Sequence, residues 1–445
     1  MFWKIIKIVL TGIVVSMFFY PFEFFALPGY NTKKILGAVG VLVCGWTLLK
    51  SQKLEIPRNL IPLFLGAMAV SLASMASMAY NTTIDDAYKG YIFSFAVWFS
   101  GAFATCSLIK YIHGRISIPL LSHYLITVSV AQCALALMID NMPSVKRFVD
   151  TYINTGQALM EEIDRLYGIG CGLDTAGIHF SLCLIFIAYL AHTRRSVIGR
   201  RMMVYYVFSY LCILVIGSMI ARTTYVGAVI SIPYIILTLD YSGPTIRRKT
   251  LRTLGIIAGI MLVAIGISVY EYNHNPSMHQ LFRFAFEGFF NLFERGEYSM
   301  ATSETLKGMY VFPDNTKTWI IGDGYFSNPY WSDPYLTYID QNTRGYYMDT
   351  DVGYLRFIFY FGLIGLSIFS IFFVICARTA NRLMPEHKIL SFMCLICGFA
   401  VWLKVATDVF FIFALLICVG NMRDEDDCVD ETLLPEETFT HEDSL

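Results

Sequence analysis

The chain has 445 residues, of which 56% are hydrophobic, 16% aromatic and only 15% charged, with a formal net charge of −1. Soluble domains carry roughly 25% charged residues, so this composition indicates a membrane protein. A net charge this close to zero argues against nucleic acid as a partner.

Apolar runs long enough to cross a bilayer recur along the whole chain. A crossing helix needs roughly 20 apolar residues. The sequence therefore predicts an all-α integral membrane protein with about twelve transmembrane helices. The runs lie near residues 5–27, 34–50, 60–80, 91–111, 118–139, 174–192, 203–220, 224–240, 252–271, 352–377, 388–403 and 405–421. The first run follows Lys4 and Lys7 and contains no small-residue cleavage site, so we interpret it as a retained anchor.

Basic residues are concentrated in alternate connections between these runs. With the N-terminus inside, each inner connection carries lysine or arginine: Lys50, Lys53 and Arg58; Lys110 and Arg115; Arg194, Arg195, Arg200 and Arg201; Arg247, Arg248, Lys249 and Arg252; Arg378, Arg382 and Lys388. This pattern follows the positive-inside rule and predicts that both termini are cytoplasmic.

The predicted organisation has four parts. Residues 1–272 form transmembrane helices 1–9, and residues 273–350 form a large outer loop between helices 9 and 10. Residues 351–421 form helices 10–12, and 422–445 is an acidic tail interpreted as a solvated, disordered segment.

Cysteine usage fits a membrane interior better than a disulfide framework. Nine of the eleven cysteines lie in apolar stretches, where a small buried residue is expected. Cys394 and Cys397 are spaced as CxxC, but they stand mid-span without a second pair or a histidine nearby. An HExxH motif, a Gly-rich phosphate loop and any cluster of acids that suggests a metal are also missing, so we predict neither a metal nor a cofactor.

Two connections are long, and the same count places both of them outside. The first, at 140–173, carries apolar residues at helical spacing and predicts an amphipathic helix on the outer leaflet: Val145, Phe148, Val149, Tyr152 and Ile153. The second is too long for a structureless loop, so we expect a small folded cap.

Aromatic residues are concentrated in the second long connection. The stretch "RFAFEGFFNLF" is typical of an interfacial helix, predicted over 282–293, whose phenylalanines enter lipid. Further on, "GDGYFSNPYWSDPYLTYIDQ" alternates aromatic with polar residues between Gly and Pro. Flat rings beside hydrogen-bonding groups suit sugar stacking, although they also suit any small folded loop. The candidate sugar-binding residues are Tyr325, Tyr330, Trp331 and Tyr335.

Ionisable residues at the outer ends of spans are functional candidates, because charge within a span costs on the order of 2.5–3.5 kcal/mol on insertion scales. Arg222 stands in a tight outer turn and either reaches the headgroups or binds a ligand. Arg165 precedes a Gly-rich re-entry and has acidic neighbours in sequence as the alternative partners: Glu161, Glu162 and Asp174.

Two further places carry such charges. In "YMDTDVGYLRFIFYFGLIGL", at 347–366, we expect Asp351 to cap the following helix and Arg356 to lie too far round that helix to pair with it. The rest of this stretch is interpreted as one spanning helix. Lys404 and Asp408, one turn apart, are interpreted as an intrahelical ion pair at a helix break.

These groups together suit a substrate that is anionic at the membrane and sugar-like above it. The planar fork of arginine matches phosphate bidentately. A carboxylate at the same level can deprotonate a hydroxyl group.

Several stretches resemble the Wzy-type O-antigen and capsule polymerases, which are relatives of the O-antigen ligases. They are "RLYGIGCGLDTAGIHFSL", "GSMIARTTYVGAVIS", "SETLKGMYVFPDNTKTWIIGDGYFS", "TDVGYLRFIFYFGLIGL" and "WLKVATDVFFIFALLI". The arrangement of about twelve spans with one large late outer loop extends the resemblance over nearly the whole chain.

The resemblance implies a metal-independent membrane glycosyltransferase, GT-C-like in the broad sense, in a bacterial inner membrane. Such an enzyme transfers a growing glycan from undecaprenyl pyrophosphate to the terminal sugar of another lipid-linked unit, with a chain-length regulator protein as a further partner. By resemblance Arg222 and Arg165 hold the pyrophosphate, and four other arginines are secondary candidates: Arg283, Arg295, Arg344 and Arg356.

The candidate base is Asp351, with Asp349 as the alternative. In the ligase branch a histidine often stands where the late loop re-enters the membrane. Here that place reads "DTDVG", and the loop's histidines, His274 and His279, lie at its other end, which favours polymerase over ligase. The alternatives are a ligase that transfers glycan to lipid A core and a glycolipid flippase. A flippase usually has two similar halves, which this sequence does not display.

Overall fold

A computed structural model describes residues 2–51, 57–154, 165–194, 199–238, 255, 259, 262–263, 265–297, 299–328 and 345–423. Over these residues the chain is helical, with one short antiparallel strand pair in which β1 (Glu23–Phe24) lies against β2 (Ile153–Asn154). The structure therefore agrees with the predicted all-α class.

The helices before the late loop are α1 (Phe2–Phe19), α2 (Thr32–Ser51), α3 (Ile61–Asn81), α4 (Tyr91–His113), α5 (Ile118–Asn141), α6 (Pro143–Tyr152), α7 (Leu173–Thr193), α8 (Arg200–Ile220) and α9 (Thr224–Thr238). Residues 265–274 are also helical. They are followed by α10 (Pro276–Ala285), α11 (Glu287–Arg295), α12 (Ala301–Gly308), α13 (Thr316–Ile320), α14 (Gly353–Leu383), α15 (Lys388–Val401) and α16 (Phe410–Met422).

Seven helices in the described part of the chain are long and apolar enough to cross a membrane: Phe2–Phe19, Arg58–Asn81, Tyr91–His113, Ile118–Asn141, Thr175–Thr193, Arg201–Ile220 and Gly353–Leu383. Shorter apolar helices occupy Thr224–Ile236 and Phe410–Met422. The protein is thus a helical, multi-pass membrane protein by length and composition. The total of about twelve spans and the orientation stay predictions.

The most buried helices are α7 and α16, in which apolar residues occur on every face. A helix that is apolar all round belongs inside a bundle. Accordingly, α7 packs against α5, α8, α9 and α15, and α16 packs against α4 and α14. These two helices form the centre around which the other elements are arranged.

The helix α9 lies very close to α7, and glycine makes this possible. A Cβ built at Gly227 would lie 2.2 Å from the Cα of Ser181, and one at Gly177 would lie 2.7 Å from the Cβ of Thr223. Small residues let helix backbones approach each other in membranes. The Ser181 hydroxyl also donates to the Thr223 carbonyl at 2.9 Å. The turn between α8 and α9 is therefore held firmly on α7.

The predicted continuous helix at 352–377 is wrong in one respect, because α14 is broken at Phe361 (φ −135°, ψ 18°) and Gly362 (φ 67°, ψ −173°). The freed carbonyl of Phe359 accepts a hydrogen bond from the backbone amide of Asp323 at 2.6 Å. The carbonyl of Tyr360 accepts from the backbone amide of Gly324 at 3.1 Å. Irregular backbone at membrane depth is tolerated where other protein groups form hydrogen bonds with its free N–H and C=O groups.

A second break separates α15 from α16, where residues 402–409 are not helical. The carbonyl of Trp402 accepts from the Tyr354 amide at 3.1 Å. The carbonyl of Leu403 accepts from the Tyr310 hydroxyl at 2.8 Å. The predicted break is present, but Lys404 and Asp408 do not share a helical turn, so the intrahelical geometry expected for them is wrong.

The two long connections contain short helices. Within 140–173 the helix α6 begins at Pro143 and ends at Tyr152, while residues 155–164 lie outside the described residues. In the late loop, the single helix predicted over 282–293 is replaced by α10 and α11, which are separated at Phe286. A hydrogen bond connects the end of α10 to α9: the Tyr225 hydroxyl donates to the Ala285 carbonyl at 2.9 Å.

Candidate functional site

Two arginines from distant parts of the sequence meet on one aromatic ring. The guanidinium carbon of Arg222 lies 3.9 Å from the centroid of the Phe284 ring, and that of Arg165 lies 4.7 Å from the same centroid. Both distances are within cation–π range. Arg222 stands in the turn between α8 and α9, Arg165 precedes α7, and Phe284 belongs to α10. The structure therefore brings together the two arginines that the sequence singled out for phosphate binding.

Arg222 also forms an ion pair with the late loop. Its Nη2 atom lies 2.7 Å from Oε2 of Glu287, and the two side chains are only 10% and 24% exposed. The other carboxylate oxygen of Glu287 accepts from the Ala301 amide at 2.9 Å. A partly buried, charge-assisted bond of this kind is stronger than an exposed one. In this state of the molecule a carboxylate occupies a position suited to an anionic ligand.

A third basic side chain reaches the same turn. Nζ of Lys404 donates to Oγ1 of Thr223, the residue after Arg222, at 3.0 Å. We refer to Arg165, Arg222 and Lys404 as the cationic cluster. Its three members come from three different connections of the bundle: Arg165 lies before α7, Arg222 between α8 and α9, and Lys404 between α15 and α16.

An apolar groove of about 700 Å³ lies beside the cationic cluster. Phe282 and Phe286 line it, whereas Phe284, between them in sequence, carries the two arginines. Residues two apart on a helix point to different sides, so the groove and the cluster lie on two sides of the same helix, α10. The remaining lining residues are Leu211, Leu214, Val215, Ile265, Ser268, Val269, Tyr272, Phe289, Phe290 and Phe293.

The Asp351 region forms a second candidate centre, and two predictions about it are wrong. The N-cap of α14 is Val352 and makes no side-chain capping bond, so Asp351 is not the cap. Nη1 of Arg356 lies 3.8 Å from Oδ1 of Asp351, although no pairing was expected. The expectation assumed a helical position for Asp351, whereas the chain before Gly353 is not helical and brings the carboxylate back toward Arg356.

Arg356 is held between aromatic rings. Its guanidinium carbon lies 3.7 Å from the ring centroid of Phe326 and 4.3 Å from that of Tyr346. Its Nη2 atom donates to the Phe326 carbonyl at 3.2 Å. The side chain of Arg356 is 8% exposed and that of Asp351 is 18% exposed. This arginine is therefore well placed to orient Asp351.

Asp349 occupies a different environment. It is exposed and has a φ of 52°, directly after Met348 with a φ of 54°. Positive φ values are unfavourable for residues other than glycine, and such strain clusters at functional sites. Two consecutive left-handed residues thus set the direction in which the chain enters the Asp351 segment.

Of the other predicted site residues, the structure describes Arg283, Arg295 and Tyr325, and their recorded contacts are with other residues. Arg283 makes two bonds to Glu294, at 3.0 and 2.5 Å, and these hydrogen bonds lower the pKa of the Glu294 carboxyl. Arg295 is exposed in the last turn of α11. The Tyr325 ring lies 5.4 Å from that of Tyr347. The predicted residues Tyr330, Trp331, Tyr335 and Arg344 lie outside the described residues.

Two acids that the sequence did not single out fix the late loop: Asp85 attaches it to the α3–α4 connection, and Asp323 forms bonds within the loop. Asp85 accepts the backbone amides of Phe326 and Ser327 at 2.8 and 2.9 Å. Asp323 accepts from Lys317 at 2.7 Å and from the Thr318 hydroxyl at 2.6 Å. The Asp85 bonds hold "GDGYFS" against the bundle and thereby position Phe326 beside Arg356.

Sequence reasoning also missed Phe284 and Glu287 as partners of the arginines. Both lie in the Phe-rich stretch interpreted as an interfacial helix. Glu287 was itself the available signal, because an acid inside a lipid-facing helix requires a cationic partner. The partner could not be chosen from spacing alone, since Arg222 is sixty-five positions away.

Comparison with protein-family models, curated proteins and solved structures found no match to this chain. Function therefore has to follow from the chemistry of the two centres. They combine cationic side chains, a partly buried carboxylate, aromatic surfaces and a neighbouring apolar groove.

Proposed function

We propose that this protein polymerises lipid-linked oligosaccharide repeat units at the outer face of a bacterial inner membrane. It would transfer the growing glycan from undecaprenyl pyrophosphate to the terminal sugar of another lipid-linked unit. The observation that carries the proposal is the meeting of Arg165 and Arg222 on Phe284 beside a large apolar groove.

That pairing suits a lipid with an anionic head. Guanidinium groups bind phosphate through two parallel hydrogen bonds, and they do so more strongly where water is excluded. The groove offers apolar side chains to a hydrocarbon chain, whose burial is favourable by roughly 0.8 kcal/mol per CH₂ group. A soluble sugar nucleotide would have no use for such a groove.

The proposed reaction divides its roles between the two centres. The acceptor hydroxyl oxygen forms a bond to the anomeric carbon, while the bond from that carbon to the pyrophosphate oxygen breaks. Arg165 and Arg222 stabilise the negative charge that develops on the leaving pyrophosphate. Asp351 receives the proton of the acceptor hydroxyl, and Arg356 orients its carboxylate.

The break at 402–409 connects the two centres. Lys404 contacts the turn that carries Arg222, and Trp402 accepts the amide of Tyr354, two residues before Arg356. One short segment is thus in contact with both the cationic cluster and the start of α14. This arrangement supports a single substrate path between them.

Reconstitution with lipid-linked repeat units, without added nucleotide or metal, tests the proposal. The wild-type protein is expected to give a ladder of lengthened products, and Arg222→Ala is expected to lose it. Arg295→Ala is the matched control, because that arginine is exposed in the last turn of α11 in the same late loop.

Three results would contradict the proposal. A normal ladder from Arg222→Ala would refute the assigned site. Transfer to lipid A core without chain growth would favour a ligase. Movement of lipid-linked units across the bilayer with no change in glycan length would favour a flippase.

A further inference from the structure

The cationic cluster contains one member that neither spacing nor resemblance assigned to the substrate. We propose that Lys404 is a substrate-binding residue that contacts the second phosphate of a pyrophosphate held by Arg165 and Arg222. Lys404 would then determine the preference for a diphosphate head over a monophosphate. This inference rests on the proposed function and adds a specificity determinant to it.

Hydrogen bonds fix the two residues that precede Lys404. Trp402 is fully buried, and its carbonyl accepts the Tyr354 amide at 3.1 Å. The carbonyl of Leu403 accepts from the Tyr310 hydroxyl at 2.8 Å. A lysine on a backbone held in this way loses less freedom when it binds a ligand, which favours affinity.

The acceptor of the Lys404 hydrogen bond is equally well fixed. Thr223 is 2% exposed, and its carbonyl accepts from Ser181 at 2.9 Å. Its Cβ is so close to Gly177 that a Cβ there would lie 2.7 Å away. Because Thr223 directly follows Arg222, the Lys404 ammonium is placed beside the arginine turn by two rigid segments, α7 and the 402–405 backbone.

The three cationic side chains differ in the way they bind phosphate, so we assign them to different phosphates of the ligand. Arg165 and Arg222 share the Phe284 ring and present planar forks, which match the oxygens of one phosphate. Lysine is a compact point charge that binds phosphate without a fixed fork. Cations placed close together repel one another, and a ligand with more than one negative charge relieves that repulsion better than a singly charged one.

Binding of two short-chain probes to the full-length protein in nanodiscs tests this inference. The probes are farnesyl pyrophosphate and farnesyl monophosphate. Lys404→Met is expected to weaken the binding of farnesyl pyrophosphate about tenfold, which corresponds to one lost charge-assisted hydrogen bond. The same variant should change the affinity for farnesyl monophosphate less than about twofold. Lys404→Arg should retain most of the diphosphate preference.

The matched control is Lys89→Met, which removes an exposed lysine from the α3–α4 connection. Thr223→Val removes the hydroxyl that receives the ammonium and should reduce the diphosphate preference partially. The inference would be overturned if Lys404→Met lost affinity equally for both probes, or if its affinities matched those of Lys89→Met.

The same experiment separates this inference from the proposed function. If Arg222→Ala weakens the binding of both probes while Lys404→Met binds both with wild-type affinity, only the role of Lys404 is refuted. If the wild-type protein binds neither probe, the anion site and the role of Lys404 are refuted together.

Discussion

The backbone amide of Asp323 donates to the carbonyl of Phe359 at 2.6 Å, and this bond ties the late loop to the break in α14. The neighbouring amide of Gly324 satisfies Tyr360 in the same way, at 3.1 Å. The late loop and the first half of α14 are therefore one structural unit. Substitutions at the break should affect the Asp351 centre as well as stability.

Gly362→Ala should destabilise the protein strongly. Gly362 has a φ of 67°, and a Cβ there would lie 2.1 Å from the Ile320 carbonyl oxygen. The combined strain and steric clash should cost roughly 2–4 kcal/mol, which a lower melting temperature in detergent would reveal. Gly12→Ala in α1 is the control, because a Cβ there has no neighbour within 4 Å. Equal melting temperatures would refute this interpretation of the break.

Glu287→Gln should strengthen binding of farnesyl pyrophosphate about three- to tenfold. The Glu287 carboxylate lies 2.7 Å from Arg222 and competes with an anionic ligand for that guanidinium. Titration of the probe against protein in nanodiscs measures the change. Glu294→Gln removes an exposed carboxylate of the same helix and should leave affinity unaltered. Weaker binding in Glu287→Gln would indicate that the carboxylate supports the site and does not compete there.

Asp351→Asn should reduce chain growth about 10²–10⁴-fold, the usual contribution of a general base. Probe binding should stay near the wild-type value, because the cationic cluster is intact. The rate of ladder formation and the probe affinity are measured on the same preparation. Asp349→Asn is the control, since Asp349 is exposed. If Asp349→Asn loses activity and Asp351→Asn does not, their assigned roles must be exchanged.

Arg356→Met should lower the free energy of unfolding by roughly 3–5 kcal/mol, because it leaves the partly buried Asp351 without this cation. Arg356→Lys should recover only part of that loss, since lysine lacks the planar group that lies against Phe326 and Tyr346. Thermal unfolding in detergent compares these variants with Arg295→Met, which alters an exposed arginine. A melting temperature of Arg356→Met that matches the control would argue against the stacked, paired environment.

Parts of both centres were predictable from local sequence features. Arg222 and Arg165 were found because charge is costly near a membrane: Arg222 stands in a tight turn between two apolar runs, and Arg165 precedes a Gly-rich re-entry. Asp351 was found for the same reason, but its partner was not. The assumption that it begins a regular helix gave Arg356 the wrong geometry, and the unwound chain before Gly353 makes their 3.8 Å approach possible.

The helical membrane class was determined by the sequence alone, because composition and hydropathy are sums over local residues and need no knowledge of packing. The ionisable residues that stand beside apolar runs were identified in the same way. Only the tertiary structure decided that Phe284 and Glu287 contact Arg222, that Lys404 contacts the neighbouring Thr223, and that α14 breaks at Gly362. These features depend on contacts between segments far apart in the chain, and such contacts arise only when the helices pack together.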